Sequence, residues 1–448
     1  MPPENMNARA VLERFFYDGL GSVDPEQAVS RALRFRGTLL ALGRTRIDLD
    51  RFRRMYALGA GKAAAGMLRG LMKAVPRPID GGVLAANLPP FGPVGPVEVC
   101  RAGHPVPDGN GLAAARKILD MALSSRGDDL VFVLISGGAS SMTPAPPPGL
   151  SLADIRKTTE LLIASGAAIQ EVNAVRRHLS CIAGGRLARA IFPAASITLL
   201  LSDVVGDDLE AIGSGPTVPD PTTFQNAWKV LSRLHLLSKI PKSVLAHLRA
   251  GRTRLVPETP KPGDPVFGRA RTILVASNRT MLDAVAKAAR MGGLSAEILT
   301  DALQGEARDV GAVLADLALA RSRSCRRSLL LVAGGETTVR VFGKGTGGRN
   351  QEMALGFADR IRGAEGITAL FAGTDGRDGN STAAGGWADG GTAARGERAL
   401  GVSIGSVLSG NNSTPFLRSA GDLFVTGPTG TNVRDAALIL IDRPARSC

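Results

Sequence analysis

Short apolar runs alternate with longer amphipathic segments along most of the chain. Apolar positions at helical spacing dominate residues 5–43. Beyond them, β-rich runs predict strands at 55–59, 82–87, 130–136 and 196–203. Helix-like segments separate these runs, at 62–73, 109–124 and 151–167. Nearly continuous apolar strands that alternate with helices are typical of a parallel sheet covered on both faces. The pattern therefore predicts an α/β fold with a doubly wound, mostly parallel sheet.

A second α/β series follows a segment rich in proline, glycine and charge, between about 239 and 268. Its strand-like runs lie at 271–278, 296–301, 328–336 and 367–376. The stretch 421–441 predicts a closing hairpin with GPTGTN as its turn. A chain of 448 residues is also too long for one ordinary core. We therefore expect an N-terminal domain over 1–240, a connecting segment over 241–270 and a C-terminal α/β domain over 271–448.

Most of the predicted strands end in small or polar residues. These ends are Gly59-Ala60-Gly61, Asn87, Ser136-Gly137-Gly138, Ser202-Asp203, Ser277-Asn278, Gly334-Gly335-Glu336 and Gly373-Thr374-Asp375. Loops are rich in such residues in any protein, but open α/β sheets bind ligands outside the carboxyl ends of their strands. Strand ends of this kind in both predicted domains predict a ligand-binding site in a cleft between the domains.

The net charge of +14 at pH 7 comes mainly from arginines spread along the chain. They form no basic run with interleaved aromatic side chains, which argues against nucleic acid as a partner. No apolar stretch approaches the ~20 residues that span a bilayer, and the N-terminus does not resemble a signal peptide. The four cysteines have no CxxC spacing, so neither a zinc site nor a disulfide framework is indicated. We expect a cytoplasmic protein with small-molecule ligands and no membrane partner. A homodimer is left open as its oligomeric state.

A glycine-rich turn with a lysine follows the strand at 55–59. In ALGAGKAAAGM the chain turns through Gly59 and Gly61 into an alanine-rich helix whose first turn carries Lys62. The amino end of a helix favours negative charge, so a lysine there suits an anion bound by free amides and the ammonium together. Walker A spacing is absent. The looser dinucleotide fingerprint does match, which leaves an NAD(P)H-dependent reductase open, although Asn87 stands where an acid would bind the ribose.

In LVFVLISGGASSM, a predicted buried strand is followed by residues that have small side chains or none. Gly137 and Gly138 let the backbone approach a ligand closely, and Ser136, Ser140 and Ser141 add hydroxyl groups. Such a loop can cradle nucleotide phosphates. A serine nucleophile would need the GxSxG elbow, which is missing.

Basic and amide side chains follow in EVNAVRRHLS. Asn173 and Arg176 can share a helical turn and hold a carboxylate or a phosphate, whereas Arg177 fits an exposed helix face equally well. His104 and His178 have no partner at metal-ligand spacing. Neither histidine is therefore proposed as a ligand.

Acids are crowded just after the strand at 196–203, at Asp203, Asp207 and Asp208. Carboxylates in such a place suit Mg²⁺, or one of them accepts the proton of an attacking hydroxyl. We assign Asp203 to the catalytic residues and Asp207 and Asp208, with Asp375 of the C-terminal domain, to the metal. Further binding residues are expected at Ser214, Gly215 and Thr217.

In the C-terminal domain, GGETTVRVFGKGTGGRNQE pairs Glu336 at a strand end with a glycine-rich loop that leads to Arg349 and Asn350. An arginine on a glycine-hinged loop can offset charge on a phosphoryl group in transfer. A flexible surface loop is the plainer alternative.

Taken in order, GAGKA, GHPVPD, SGGASS, NAVRRHLS, LSDVVGDDLEAIGSGPTVPDPTTF, GGETTV, GGRNQE and GTDGRDG resemble the type II glycerate kinases, whose C-terminal domain is called MOFRL. The resemblance spans nearly the whole chain. It implies a Rossmann-like N-terminal domain, a MOFRL-type α/β C-terminal domain and transfer of the γ-phosphoryl group of ATP to D-glycerate with Mg²⁺, giving 2-phosphoglycerate. The functional lysine and arginine of the family correspond to Lys62 and Arg349.

The chain departs from the family pattern at three places. Arg177 and Ala183 stand where lysine is usual, and Gly379-Asn380-Ser381 replaces Gly-Pro-Thr. These changes leave the range of acceptors open. Relatives have also been labelled hydroxypyruvate reductases, which coincides with the NAD(P)H alternative, and a nucleotide-binding regulator without turnover is a third hypothesis.

Overall fold

The computed structural model describes residues 7–42 and 45–442, which form two compact units. Pro25–Val275 make up one of them, called the inserted unit here because it interrupts the other in sequence. The other, the terminal unit, combines the residues up to Asp24 with those from Ala276 on. The chain therefore enters and leaves the inserted unit once each.

The helices, in chain order, are α1 (Ala8–Ser22), α2 (Pro25–Ala32), α3 (Ala64–Ala74), α4 (Gly109–Ser124), α5 (Ala139–Met142), α6 (Leu152–Ala164), α7 (Ile169–His178), α8 (Arg186–Ile191), α9 (Phe224–Arg233), α10 (Lys242–Arg252), α11 (Asn278–Met291), α12 (Ala307–Ser324), α13 (Arg349–Arg360), α14 (Thr392–Leu400), α15 (Ile404–Ser409) and α16 (Ser413–Ala420). Short 3-10 helices lie at Leu49–Arg51, Val205–Asp207, Ile212–Ser214 and Pro265–Arg269.

The strands are β1 (Arg34–Arg36), β2 (Leu39–Leu42), β3 (Thr45–Asp48), β4 (Arg54–Ala60), β5 (Gly81–Ala86), β6 (Gly92–Val94), β7 (Val97–Arg101), β8 (Asp129–Ile135), β9 (Ala195–Leu201), β10 (Ala270–Ala276), β11 (Ser295–Leu303), β12 (Leu329–Gly335), β13 (Ile367–Gly373), β14 (Gly385–Asp389), β15 (Leu423–Phe424) and β16 (Asp435–Ile441).

The inserted unit is built on a seven-stranded sheet with the order β10-β9-β8-β4-β5-β7-β6. The pairs β4–β5, β4–β8, β5–β7 and β8–β9 are parallel, and the edge pair β6–β7 is antiparallel. Every residue of β8 is buried, as expected for a strand covered on both faces. The predicted doubly wound, mostly parallel sheet is confirmed, and the carboxyl ends of β4, β5, β7, β8 and β9 meet at one edge.

The terminal unit holds a six-stranded mixed sheet with the order β11-β12-β16-β13-β14-β15. Strands β11 and β12 are parallel, whereas β16 runs antiparallel to both of its neighbours, β12 and β13. Side chains alternate along β16, so Ala437, Ile439 and Ile441 join the core cluster that includes Phe357 of α13. The predicted second α/β domain is confirmed.

Three details of the strand prediction were wrong. The expected closing hairpin does not form, because β15 pairs with β14 while β16 inserts between β12 and β13. Strand β10, predicted to open the second series, is instead the edge strand of the inserted sheet beside β9. Residues 34–42 lie in the region predicted to be helical but form the antiparallel strands β1 and β2, and β2 pairs with β3 beyond that region.

The proline-rich segment after residue 240 also contributes to a packed core. Helix α10 lies within it and buries Val244 and Leu248 completely. These side chains join a cluster that contains Phe224 of α9 and Val175 of α7. The segment therefore supports α7, on which Asn173 lies.

Helix α1 packs within the terminal unit although it lies at the start of the sequence. It contacts α11, β13 and β16, and a Cβ on Gly19 would be 2.7 Å from Val285 of α11. Arg9 forms salt bridges with Asp389 and Asp422, at 2.7 and 2.5 Å. Along the sequence, the whole inserted unit lies between α1 and the elements that α1 contacts. Its position therefore follows from packing and ion pairs rather than from chain order.

Candidate active site

The ends of β4 and β8 are joined by close backbone contacts. Gly59 and Gly61 have positive φ angles of 152° and 138°, and a Cβ at Gly61 would lie 2.1 Å from the Ser136 hydroxyl oxygen. That oxygen accepts a hydrogen bond from the Ala63 amide at 3.0 Å, and the Lys62 amide donates to the Gly137 carbonyl at 3.0 Å. Only glycine fits at position 61. These contacts fix Lys62 beside the Ser136–Gly138 turn.

Two side chains lie directly on the glycines of this turn. A Cβ at Gly137 would be 1.9 Å from Oδ2 of Asp203, and one at Gly138 would be 2.7 Å from Cδ2 of His104. Gly138 also has a left-handed φ of 85°. Burial and the nearby charge of Lys62 lower the pKa of His104 to about 4. The structure thus brings Lys62, Asp203 and the predicted glycines together and adds His104. We call these residues, with Ser136, the glycine-turn cluster.

Within residues 7–42 and 45–442, Lys62 forms no salt bridge. The Lys62 ammonium is therefore not neutralised by a carboxylate. The residue itself lies in the turn where the backbones of the β4 and β8 ends come into close contact. An unneutralised cation at such a place is suited to an anionic ligand.

Three of the predicted binding residues form a second group, which we call the serine group. The hydroxyl oxygens of Ser140 and Ser214 are 2.8 Å apart, and Ser214 donates to Oδ1 of Asn173 at 3.4 Å. One turn further along α7, burial lowers the pKa of Arg176, which has no acidic partner in the described part of the chain. The serine group thus offers hydroxyl and amide groups next to a second unneutralised cation. By contrast, Ser141 turns back to donate to the Gly138 carbonyl at 2.9 Å.

Other predicted residues of the inserted unit have structural contacts. The buried Thr217 hydroxyl accepts a hydrogen bond from Thr198 on β9 at 2.8 Å. The Gly215 carbonyl accepts from the Gly185 amide at 2.7 Å. Arg177, left open between an anion site and an exposed face, is buried and donates to Asp220 at 3.0 Å. These residues hold the loop and helix that carry Ser214 and Asn173.

The three acids predicted to bind metal lie in different units and differ in their contacts. Oδ1 of Asp207 is buried without a hydrogen-bond partner, as far as the described residues extend. Asp208 is exposed and accepts a hydrogen bond from the Glu210 amide at 2.9 Å. Asp375, in the terminal unit, accepts from the Arg377 amide at 3.1 Å. The described residues contain no group of three or more metal-ligand side chains. An orphaned carboxylate oxygen nevertheless fits Mg²⁺, which needs only one or two carboxylates when phosphates and water complete its shell.

In the terminal unit, Arg349 begins α13 and is held by two carboxylates. Its Nε and Nη2 donate to the two oxygens of Asp435 at 2.5 and 3.0 Å, and Nη1 donates to Glu336 at 2.7 Å. The Asp435 side chain is 5% exposed and that of Glu336 is 45% exposed. Burial raises the pKa of Asp435 to about 6, against the opposing effect of Arg349. Asp435 is thus a buried anchor and Glu336 an accessible partner.

The amino end of α13 is capped by Asp378. One of its oxygens accepts from the amide of Asn350 at 3.0 Å, and the other accepts from the amide of Gln351 at 2.9 Å. A Cβ at Gly348 would be 2.3 Å from Cγ of Asp378, so glycine is required for this approach. The side chain of Asn350 also donates to Asp378, and its own oxygen has no partner among the described residues. Asp378 and Asn350 therefore orient the turn that presents Arg349.

Sequence reasoning missed three residues of these groups. His104 lies in the GHPVPD motif, where the lack of a partner at metal-ligand spacing left it without a predicted role. Asp378 lies in the GTDGRDG motif, and no role was predicted for it. Asp435 is the first residue of the apolar strand β16 and has no motif around it, and only the folded chain brings it to Arg349.

Comparisons with known proteins show the family of the chain. The family described as a domain of unknown function, DUF4147, matches residues 11–249, and the MOFRL family matches residues 329–435. Glycerate 2-kinase of Pyrococcus horikoshii is 37% identical over 441 residues, which cover 97% of this chain and 98% of that protein. The chain belongs to the DUF4147–MOFRL glycerate kinase family. Its identification from motifs is thereby confirmed.

Other members of the glycerate kinase family extend this result. The crystal structure of a glycerate kinase from Thermotoga maritima has a TM-score of 0.85 and 35% identity, covering 96% of this chain and 99% of that one. A relative from Agrobacterium vitis, 41% identical over 98% of this chain and 95% of its own length, carries the provisional name hydroxypyruvate reductase. The described part of the chain contains no helix that is long and apolar enough to cross a membrane.

Proposed function

We propose that the protein transfers the γ-phosphoryl group of ATP to the 2-hydroxyl of D-glycerate, giving 2-phosphoglycerate and ADP. The observation that carries this proposal is the unneutralised Lys62 ammonium in the glycine-turn cluster of a member of the glycerate kinase family. Phosphoryl transfer needs positioning and charge compensation more than covalent chemistry. The cluster offers both.

The inserted unit is proposed to bind the phosphates. The turn from Ser136 to Ser141 would surround them with amides and hydroxyls, as Gly61, Gly137 and Gly138 leave the backbone open. Lys62 would contact the transferred group. Arg176 and the serine group would bind a further anionic or hydroxyl group, since they combine a half-buried cation with hydroxyl donors.

Arg349 is proposed to bind an anionic group of the substrate through the N–H groups that it retains. A guanidinium has five donors, of which the structure engages three with Asp435 and Glu336. The exposed Glu336 can give way to a ligand, because an exposed ion pair contributes only about 0–1 kcal/mol. Glu336 and Asn350 would then border this subsite.

Asp203, Asp207 and Asp208 are proposed to supply the acids for Mg²⁺, with Asp207 as the ligand best supported by its unpartnered oxygen. When bound, Mg²⁺ would neutralise phosphate oxygens and help to align them. The same loop presents Asp203 on Gly137, so its negative charge draws a cation to the phosphate turn. Asp375 is the acid proposed for the same role, Mg²⁺ binding, in the terminal unit.

A reductase is the second candidate, and two observations favour testing it. The β4–α3 turn matches the dinucleotide fingerprint, and a relative carries the reductase name. Against it, β5 leads to Asn87, a neutral amide with a buried, unpartnered oxygen among the described residues, where a dinucleotide site uses an acid.

The deciding experiment supplies D-glycerate, ATP and Mg²⁺ and couples the product to enolase. Because enolase acts on 2-phosphoglycerate directly, phosphoenolpyruvate should form without added phosphoglycerate mutase. A parallel reaction contains hydroxypyruvate and NADH or NADPH. Nucleotide oxidation without ATP turnover would contradict the proposal, and dependence of the first assay on mutase would contradict its regiochemistry. The predicted domain boundaries, cytoplasmic location and homodimer stay predictions.

A further inference from the structure

The GHPVPD motif has no role in the function described so far, yet it places a histidine in the glycine-turn cluster. His104 follows β7, whose carboxyl end lies at the same sheet edge as those of β4, β8 and β9. The edge of its ring lies on Gly138, where a Cβ would be 2.7 Å from Cδ2 and 3.1 Å from Nε2. The ring therefore faces the turn proposed to hold the transferred phosphate.

The ring nitrogens of His104 are available to a ligand. Neither has a hydrogen-bond partner among residues 7–42 and 45–442. His104 is half-buried and neither of its ring nitrogens is a fully buried atom, so both are open to a ligand or to water. His178, a buried histidine of the same unit, shows the contrast: its Nδ1 contacts the Ala174 carbonyl at 2.7 Å and its Nε2 contacts Glu258 at 2.8 Å.

Three charged groups, on three elements, lie on or next to the residues that surround His104. Lys62 comes from the turn after β4 and lowers the pKa of the ring, together with burial. Asp203 comes from the loop after β9 and lies on the neighbouring glycine, Gly137. Asp108 caps α4, where its Oδ1 accepts from the Gly111 amide at 2.7 Å. In this setting the imidazole of the free enzyme is neutral at physiological pH and can accept a proton.

We propose that His104 is the general base of the reaction and accepts the proton of the substrate hydroxyl that attacks the phosphoryl group. The inference deepens the proposed function and rests on it. As the hydroxyl oxygen bonds to the γ-phosphorus, the bond from that phosphorus to the β,γ-bridging oxygen breaks and ADP leaves. The hydroxyl proton passes to an imidazole nitrogen and then to water after the product departs. Atoms and charge balance without a further reactant.

Two features favour His104 over Asp203 in this role. Asp203 already has an interaction within the chain, whereas the His104 nitrogens have none in the described residues. A carboxylate close to Mg²⁺ is also a weaker proton acceptor than a neutral imidazole, because the cation stabilises its charged form. Asp203 then remains available for its electrostatic role.

Substrate binding would switch this base on. In the free enzyme, the Lys62 ammonium disfavours a second positive charge on His104. Phosphates bound at Lys62 offset that charge, so the proton affinity of the ring rises only in the ternary complex. The acidic limb of the kcat profile should therefore lie at higher pH than that of kcat/KM, which reports the free enzyme.

The test replaces His104 by Asn and by Ala, with the exposed His235→Asn as the matched control. Asn is tolerated at position 235, whose φ is 54°. Loss of a general base typically lowers the rate about 10²–10⁴-fold. We expect His104→Asn to lose kcat by that factor, to keep KM and Tm close to wild type and to lose the acidic limb. Added imidazole should restore part of the activity of His104→Ala.

Each contrary outcome identifies which statement fails. Wild-type protein without glycerate kinase activity would overturn both the proposed function and this inference. An active wild type with His104→Asn within about threefold of its kcat overturns the inference alone. So does an acidic limb that persists in His104→Asn but disappears in Asp203→Asn, which would make the carboxylate the base. A loss of Tm without imidazole rescue would indicate a structural histidine and would also overturn the inference.

Discussion

Gly137→Ala tests whether the carboxylate of Asp203 must lie where the structure places it. The new Cβ would be 1.9 Å from Oδ2 and 2.6 Å from Cγ of Asp203. Non-bonded heavy atoms are normally about 3.5 Å apart, so the carboxylate has to move by more than about 1 Å. It is the end of a flexible side chain, and we therefore expect the side chain to rotate away while the backbone of the turn keeps its course.

The size of the effect follows from that displacement. A misplacement of about 1 Å in a catalytic group costs on the order of 100-fold in rate, which corresponds to about 2.7 kcal/mol of activation free energy. We expect kcat/KM for glycerate to fall by about this factor in the enolase-coupled assay. Thermal unfolding should change by less than about 4 °C, since no apolar core atom is displaced.

Gly109→Ala is the matched control, because a Cβ there meets no atom within 4 Å. It should leave activity unchanged and stabilise α4 slightly, as alanine restricts the unfolded chain more than glycine does. Adding Asp203→Ala to Gly137→Ala should cost little more than either change alone, since both remove the same carboxylate from the site. A Gly137→Ala enzyme within about threefold of wild-type kcat/KM would refute the reasoning.

Three further predictions concern charged side chains. Lys62→Ala should lower kcat/KM at least about 100-fold, with the larger part in kcat, because its charge is needed most in the transition state; retained kcat would contradict this role. Asp435→Asn should raise KM for glycerate and lower stability by about 1–3 kcal/mol, since Arg349 loses its buried anchor; unchanged KM would show that the anchor is dispensable. Hydrogen bonds from Arg395 and Arg9 overcome the effect of burial and lower the pKa of Asp389 to about 2. A lowered pKa contributes stability above the unfolded value of about 4 and loses it as pH falls towards 2. Arg9→Ala should therefore lower the melting temperature at pH 7 more than at pH 3.

Much of the fold could be predicted because its strands are short, apolar and regularly spaced by helices. The predicted runs at 55–59, 82–87, 130–136 and 196–203 correspond to β4, β5, β8 and β9, and the predicted helix at 109–124 matches α4. A strand that is buried on both faces is apolar along nearly its whole length, so its composition alone identifies it. Local sequence was therefore sufficient at these places.

The positions of β10, β15 and β16 within the sheets could not be predicted. β10 has the composition of any buried or half-buried strand, and nothing in it tells which sheet it joins. β15 and β16 read as a hairpin because a turn sequence lies between them, yet β16 is central and β15 is a two-residue edge strand. Pairing is decided by the whole set of available edges, which local pattern does not contain.

The same limit applies to the two cations that the motifs single out. Lys62 and Arg349 each follow a glycine-rich loop, and sequence alone gives both the same task of neutralising an anion. In the structure, Arg349 is bound by Asp435 and Glu336, whereas Lys62 has no salt bridge in the described chain. A preorganised cation that is not already neutralised is better able to stabilise charge as it develops on a phosphoryl group. This difference is our reason for proposing that Lys62 contacts the transferred phosphate and that Arg349, oriented by its buried anchor Asp435, binds the substrate.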